Sequence, residues 1–106
     1  MGSSNGHPAS KYSLSLTVLA NAELVRVGEA ATSLEIGKLI RKAYRRVLLR
    51  LESDAADFSE PLYHIQSMWM TIRCAAVTPL YIKYGIHDVQ PIVVIRRVVA
   101  LSDPIS

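Results

Sequence analysis

The chain has 106 residues, half of them apolar, which is enough for one small hydrophobic core but too few for a large enclosed cleft. Lysine and arginine outnumber aspartate and glutamate by 12 to 9, and a net charge of +3 is only weak support for an anionic partner. The single cysteine, Cys74, excludes an intrachain disulfide, and we expect its thiol to be buried in a strand. No apolar run is long enough to span a membrane, so we expect a cytoplasmic protein.

The first ordered element is predicted to follow a small, polar lead over residues 1–10, and a single domain then covers residues 11–106. Apolar side chains alternate with serine and threonine over residues 11–19, which is the period of a strand with one buried face. A short helix is predicted next, over residues 22–31, with Asn21 as its N-cap.

The strongest periodic signal predicts a second helix over residues 34–51, introduced by a capping box at Thr32 to Glu35. Its apolar residues recur at helical spacing: Ile36, Leu39, Ile40, Ala43, Tyr44, Val47, Leu48 and Leu51. Basic residues occupy the rest of its surface: Lys38, Arg41, Lys42, Arg45, Arg46 and Arg50. We interpret this basic face either as a solvated surface or as a stripe that contacts phosphates.

Three strands are predicted after the second helix, over residues 68–77, 80–86 and 92–101, with a turn at Thr78-Pro79. The stretch 57–65, which includes a proline, is predicted to be a loop. The last strand is apolar on both faces, which predicts a central strand covered on both sides. The predicted fold class is therefore α+β: an N-terminal strand, an antiparallel helical hairpin and a three-stranded antiparallel meander, with the helices on one face of the sheet.

No motif in the sequence indicates an enzyme. No histidine stands at metal-ligand spacing, no serine lies in a nucleophile elbow and no glycine-rich phosphate loop occurs, so we expect neither a metal nor a cofactor. Gly85, alone in a strand, predicts a bulge or close packing. Trp69, Tyr63 and Tyr81 match no base-stacking module, and we assign them to the core or to a dimer contact.

Four cations on the predicted strands are the best candidates for a binding site: Arg73, Lys83, Arg96 and Arg97. Arg73 and Lys83 are predicted to share a face of the sheet, joined by one of the two arginines of the last strand. A cationic cluster on a sheet would suit an acidic peptide or a phosphate backbone.

Several segments carry a family resemblance: the strand that leads into the helical hairpin, then DFSEPLYHI, IRCAAV, PLYIKYGIHD and VVIRRVVAL. In order and spacing, residues 12–101 resemble the RelE/ParE superfamily of toxins from bacterial toxin–antitoxin pairs, also called plasmid-stabilisation proteins. The resemblance implies a small cytoplasmic protein with a helical hairpin on a twisted sheet, neutralised by an antitoxin segment that wraps over both. A RelE-like member would cleave mRNA on the ribosome, whereas a ParE-like member would inhibit DNA gyrase without chemistry of its own.

The chain departs from the RelE-like nucleases at the positions that carry their chemistry. Those nucleases have basic residues along the second strand, arginines before the third strand and at the end of the fourth, and a tyrosine in the tail. Here the corresponding positions read Trp69, Thr71, Thr78-Pro79 and Ala100-Leu101, and only Arg73 is basic on the second strand. Because RNA cleavage needs several convergent acid, base and cationic groups, we expect no ribosome-dependent ribonuclease activity.

The leading prediction is therefore a RelE/ParE-like protein that acts by binding, either as a toxin of the ParE kind or as a relative without toxicity. Two alternatives stay open. One is a nucleic-acid-binding module that uses the helix over residues 34–51, and the other is a homodimer held by a strand edge or by Trp69.

Overall fold

The computed structural model describes residues 11–31 and 34–100 and places two helices over one five-stranded sheet. The elements are β1 (Ser13–Leu16), α1 (Val18–Glu29), α2 (Leu34–Asp54), β2 (Glu60–Ile65), a 3-10 turn (Gln66–Met68), β3 (Met70–Val77), β4 (Leu80–His87) and β5 (Ile92–Ala100). The strand order is β1-β5-β4-β3-β2, with β1 parallel to β5 and the other neighbours antiparallel. The predicted α+β fold class is confirmed. The predicted lead, the Thr32 end of the capping box and the tail after Ala100 lie outside the described residues.

Strand β1 is shorter, and helix α1 begins earlier, than the sequence predicted. The Thr17 hydroxyl accepts the backbone N–H of Ala20 at 3.0 Å, so Thr17 and not Asn21 is the N-cap, and the helix begins at Val18. The apolar and polar alternation continues through Val18. The alternation of apolar and polar residues could therefore not show by itself where the strand ends.

Helix α2 continues past its predicted end at Leu51 to Asp54. Arg50 donates from Nε and Nη2 to the carboxylate of Asp54 at 2.9 to 3.1 Å, and the Ser53 hydroxyl donates to the carbonyl of Leu49 at 2.9 Å. These contacts stabilise the last turn of the helix. The helix buries one stripe of its predicted apolar set: Ile40, Ala43, Val47 and Leu51.

The segment around Pro61 is an edge strand and not the predicted loop. Strand β2 pairs antiparallel with β3, with Glu60 opposite Cys74 and a register shift between Pro61 and Tyr63. A proline is tolerated there because an edge strand leaves one side of its backbone without a ladder partner. Nearly all of β2 is exposed, so it lacks the buried alternation that identifies a strand from sequence. The meander therefore has four strands, one more than predicted.

The hydrophobic core lies between the helices and one side of the sheet, which we call the helix face. As the alternation of β4 predicted, Leu80, Ile82 and Tyr84 point into this core. The Tyr84 hydroxyl donates to the carbonyl of Ala55 at 2.8 Å, which ties the chain after α2 to the centre of the sheet. Burial raises the pKa of Tyr84, so this hydroxyl keeps its proton and remains a donor.

The opposite side of the sheet, which we call the open face, carries a smaller apolar cluster. Met70 and Ile72 are buried there beside Gly85, which pairs with Ile72. A Cβ on Gly85 would overlap the sulfur of Met70, which confirms the predicted close packing at this glycine. Strand β5 is not covered on both sides as predicted, because Arg97 and Val99 are exposed on this face.

Replacing Gly85 by alanine should lower the free energy of unfolding by about 1–3 kcal/mol, because the added methyl group overlaps the packed side chain of Met70. The matched control is Gly28→Ala in α1, where a Cβ would meet nothing within 4 Å and should raise stability by about 0.5–1 kcal/mol. Urea denaturation measures both changes. Equal stability of Gly85→Ala and the wild type would contradict close packing on the open face.

Candidate functional site

Three of the four predicted strand cations come together on the open face, and the fourth does not. They line a pocket of about 270 Å³, which we call the cationic pocket. Its walls are Thr17, Leu19, Tyr63, Lys83, Arg96 and Arg97. Arg73 lies on the helix face because it pairs with Tyr84, whereas Lys83 pairs with Cys74. The prediction that Arg73 and Lys83 share a face is therefore wrong.

A bulge in β5 brings both of its arginines to the pocket. Lys83 pairs with Arg97, but the next residue of β4 pairs with Ile95, so Arg96 is an extra residue in the ladder. Ile95 and Val98, on either side of the two arginines, both stay in the core. The sequence predicted only one arginine at the cluster because strict alternation would have turned the other one inward.

Arg97 is held in place by a buried carboxylate from α1. Glu23 is only 7% exposed and accepts hydrogen bonds from Nε of Arg97 at 2.9 and 3.0 Å. Nη2 of Arg97 lies 2.7 Å from the same carboxylate. The hydrogen bonds from Arg97 lower the pKa of Glu23, although burial acts in the opposite direction. Glu23 is therefore ionised near neutral pH and balances the charge of Arg97.

Where β1 ends, side chains form hydrogen bonds with the backbone of the outer edge of β5. The two strands pair only as far as Ile95, after which the chain turns into α1. Beyond that point the Thr17 hydroxyl donates to the carbonyl of Arg96 at 3.4 Å, and Glu23 accepts the backbone N–H of Val98 at 2.9 Å. These side chains satisfy backbone groups that a longer β1 would have bonded. The wall of the pocket that carries the arginines is thus fixed to α1.

Lys83 and Arg96 keep positive charges that no neighbouring carboxylate balances. Neither takes part in an ion pair within the described parts of the chain. The ammonium group of Lys83 lies 5.7 Å from the centre of the Tyr63 ring, and Nη1 of Arg96 lies 3.8 Å from the sulfur of Met68. The pocket therefore presents two uncompensated cations beside apolar side chains.

The aromatic residues assigned to the core lie near the surface. Trp69 is 61% exposed and Tyr63 is 48% exposed, so neither lies in the core, and the alternative of a dimer contact stays a prediction for both. Tyr81 is half-buried, and a hydrogen bond with Cys74 raises the pKa of Tyr81. Cys74 is itself half-buried on the open face and not buried as predicted. Trp69 adopts a φ of 53°, a left-handed conformation that is rare for a bulky residue.

The basic face of α2 is a separate surface. Of its six basic residues Arg50 pairs with Asp54, and the other five are exposed: Lys38, Arg41, Lys42, Arg45 and Arg46. None of these five joins an ion pair among the described residues. Because α2 packs over the helix face, this basic surface and the cationic pocket lie on opposite sides of the sheet.

Within residues 11–31 and 34–100, no three histidine, cysteine or acidic side chains come together in a way that could hold a metal ion. Neither helix in those ranges is long and apolar enough to cross a membrane.

Comparison with solved structures shows a known fold. The chain is similar to one in a structure described as a chromosomal ParDE TA system from P. aeruginosa, with a TM-score of 0.59. The superposition covers 87% of this chain and 98% of that chain at 14% sequence identity, so the likeness is one of fold. No family model matches the sequence, and no curated protein matches it.

Replacing Glu23 by alanine should lower the free energy of unfolding by about 1–3 kcal/mol, because the Val98 N–H would be left without its acceptor. Folding lowers the pKa of Glu23 from its unfolded value of 4.5. The ionised carboxylate therefore contributes to the free energy of unfolding above pH 4.5, and this contribution is lost as the pH falls through the lower pKa of the folded state.

Urea denaturation near pH 6 and near pH 3 tests this pH dependence. Glu23→Gln, which keeps an acceptor but no charge, should reduce the loss of stability at low pH. The control is Glu29→Gln, an exposed glutamate at the end of the same helix. If the two variants show the same pH dependence, the ion pair between Glu23 and Arg97 does not contribute to stability.

Proposed function

We propose that this chain is a RelE/ParE-like protein of a toxin–antitoxin pair, that it acts by binding and not by cutting RNA, and that an acidic segment of the antitoxin occupies the cationic pocket. The proposal is supported by a combination of two observations. The fold is that of a chain from a ParDE TA system. On that fold, the pocket presents Lys83 and Arg96, neither of which forms an ion pair within residues 11–31 and 34–100.

The chemistry of the pocket favours an acidic and partly apolar segment. A guanidinium group binds a carboxylate through two parallel hydrogen bonds, and Arg96 is free to do so, while Lys83 offers a second positive charge. Leu19, Tyr63 and Met68 are about half exposed around these cations and supply apolar contact area. Aromatic and arginine anchors of this kind commonly dominate the energy of protein interfaces.

The position of Arg73 supports binding over catalysis. It is the one basic residue of β3, and its Nε donates to the Ser59 hydroxyl at 3.3 Å while its Nη2 donates to the Ser59 carbonyl. It lies on the face opposite to Lys83, so it does not converge with the cationic pocket. Cleavage of RNA at the cationic pocket would need such convergence. A ParE-like toxin would inhibit DNA gyrase in the cytoplasm, and a non-toxic relative would keep only the antitoxin interaction.

Expression in a bacterial host tests the toxin–antitoxin role. We expect growth arrest on induction, relieved when the product of an adjacent small gene is made at the same time. For a non-toxic relative there would be no arrest, but the two products would still purify together. The absence of both arrest and co-purification would overturn the proposal.

Lys83→Gln and Arg96→Gln should each weaken antitoxin binding about tenfold or more, because each removes a charge-assisted contact. The matched control is Lys11→Gln, which removes one positive charge far from the pocket. Isothermal titration calorimetry of the purified pair measures the affinities. If Lys83→Gln and Lys11→Gln weaken binding equally, the effect is general electrostatics and the pocket is not the contact site.

A second candidate function is nucleic-acid binding by the basic face of α2, because its five cations are exposed and outside the described ion pairs. In that case the affinity for DNA or RNA should fall steeply as the salt concentration rises. Neutralising Arg41, Arg45 and Arg46 should reduce the slope of log affinity against log salt concentration by about 1 for each phosphate contact that is lost. Fluorescence anisotropy across a salt series measures this, with Lys83→Gln as the control. An unchanged slope in the triple variant would exclude this surface.

A further inference from the structure

A larger cavity lies on the helix face, at the end of the sheet away from the cationic pocket's arginines. Its volume is about 550 Å³, and it lies between the chain that follows α2 and the connection from β4 to β5. We call it the turn cavity. The side chains that define its chemistry are Lys11, Tyr12, Thr71, Arg73, His87 and Asp88.

His87, at the end of β4, is one of the residues that line the turn cavity. Its Nδ1 accepts the backbone N–H of Val89 at 3.1 Å and that of Gln90 at 3.0 Å. An acceptor nitrogen carries a lone pair, so the neutral ring holds its proton on Nε2. The N–H at Nε2 is a donor that the turn itself does not use.

The cavity has an excess of positive charge. Its acidic residue, Asp88, already faces two donors, because Nε2 of His64 lies 2.7 Å away and the Thr71 hydroxyl lies 3.4 Å away. Lys11 and Arg73 also line the cavity, and neither takes part in an ion pair among the described residues, although Nε and Nη2 of Arg73 donate to Ser59. Two cationic side chains and one histidine therefore line a space whose carboxylate already has hydrogen-bond partners.

The volume and the lining of the turn cavity suit a small-molecule ligand. The volume falls within the range of roughly 300–1,000 Å³ that is usual for such sites. Tyr12, Ile86 and Pro91 provide a partly apolar wall beside the polar groups. The aromatic ring of Tyr12 offers a surface against which a flat group can stack.

We propose that the turn cavity binds a phosphate monoester that carries a flat or apolar group, such as a nucleoside monophosphate. The phosphate has three strong acceptor oxygens, which match the donors of Lys11 and Arg73, and His87 lines the same cavity. The flat group lies against Tyr12 and Ile86. This site is on the face opposite to the cationic pocket, so it does not depend on the antitoxin proposal.

Titration of the full, ¹⁵N-labelled chain with adenosine monophosphate, followed by amide chemical shifts, tests this proposal. We expect saturable shifts at Thr71, Val89 and Gln90 and weaker binding of inorganic phosphate alone. Lys11→Gln should weaken nucleotide binding about tenfold. Tyr12→Leu should weaken the nucleotide but not inorganic phosphate, which distinguishes the flat group from the anion.

The matched control is Lys83→Gln, which removes the same charge from the open face and should leave nucleotide affinity unchanged. Absence of saturation, equal weakening by Lys11→Gln and Lys83→Gln, or equal affinity for the nucleotide and inorganic phosphate would each overturn the proposal. Loss of antitoxin binding in Lys83→Gln with nucleotide binding intact would separate this site from the proposed function. The amide spectrum of each variant also reports whether it has folded.

Discussion

The carboxylate of Glu23 is the group on which the arrangement of the C-terminal strand depends. Strand β1 is too short to cover β5, and an uncovered edge would leave a buried N–H without an acceptor and a strand arginine without a counter-charge. By accepting hydrogen bonds from Val98 and Arg97 together, Glu23 joins α1 to the last strand. The cationic pocket is therefore shaped by a residue that does not line it.

Elements with one face in the core and one face in solvent could be predicted from sequence. The stripe of α2 from Ile40 to Leu51 and the alternation of β4 from Leu80 to Tyr84 both follow this rule, and both are buried as expected. Strand β2 does not follow it, because nearly all of its side chains are exposed and Pro61 weakens its signal further. Edge strands are stabilised by a neighbour's backbone, which leaves little trace in their own residues.

The candidate site was only partly predictable because it depends on how strands pair. The two-residue turn at Thr78-Pro79 sets Val77 opposite Leu80, and this register places Cys74 and not Arg73 beside Lys83. A shift of one residue would have produced the predicted cluster. Residue types identified the cations, but only the register decides which face each one occupies, and a likeness of fold does not supply that information.

The bulge in β5 has a consequence for how this surface could change during evolution. Most single-residue insertions in a strand reverse every side chain that follows and would turn core residues outward. Here Ile95 and Val98 both remain inside with two arginines between them, so a strand with either arginine alone would keep the same interior. At this one place the chain can gain or lose a surface charge by changing its length, while the packing beneath is preserved.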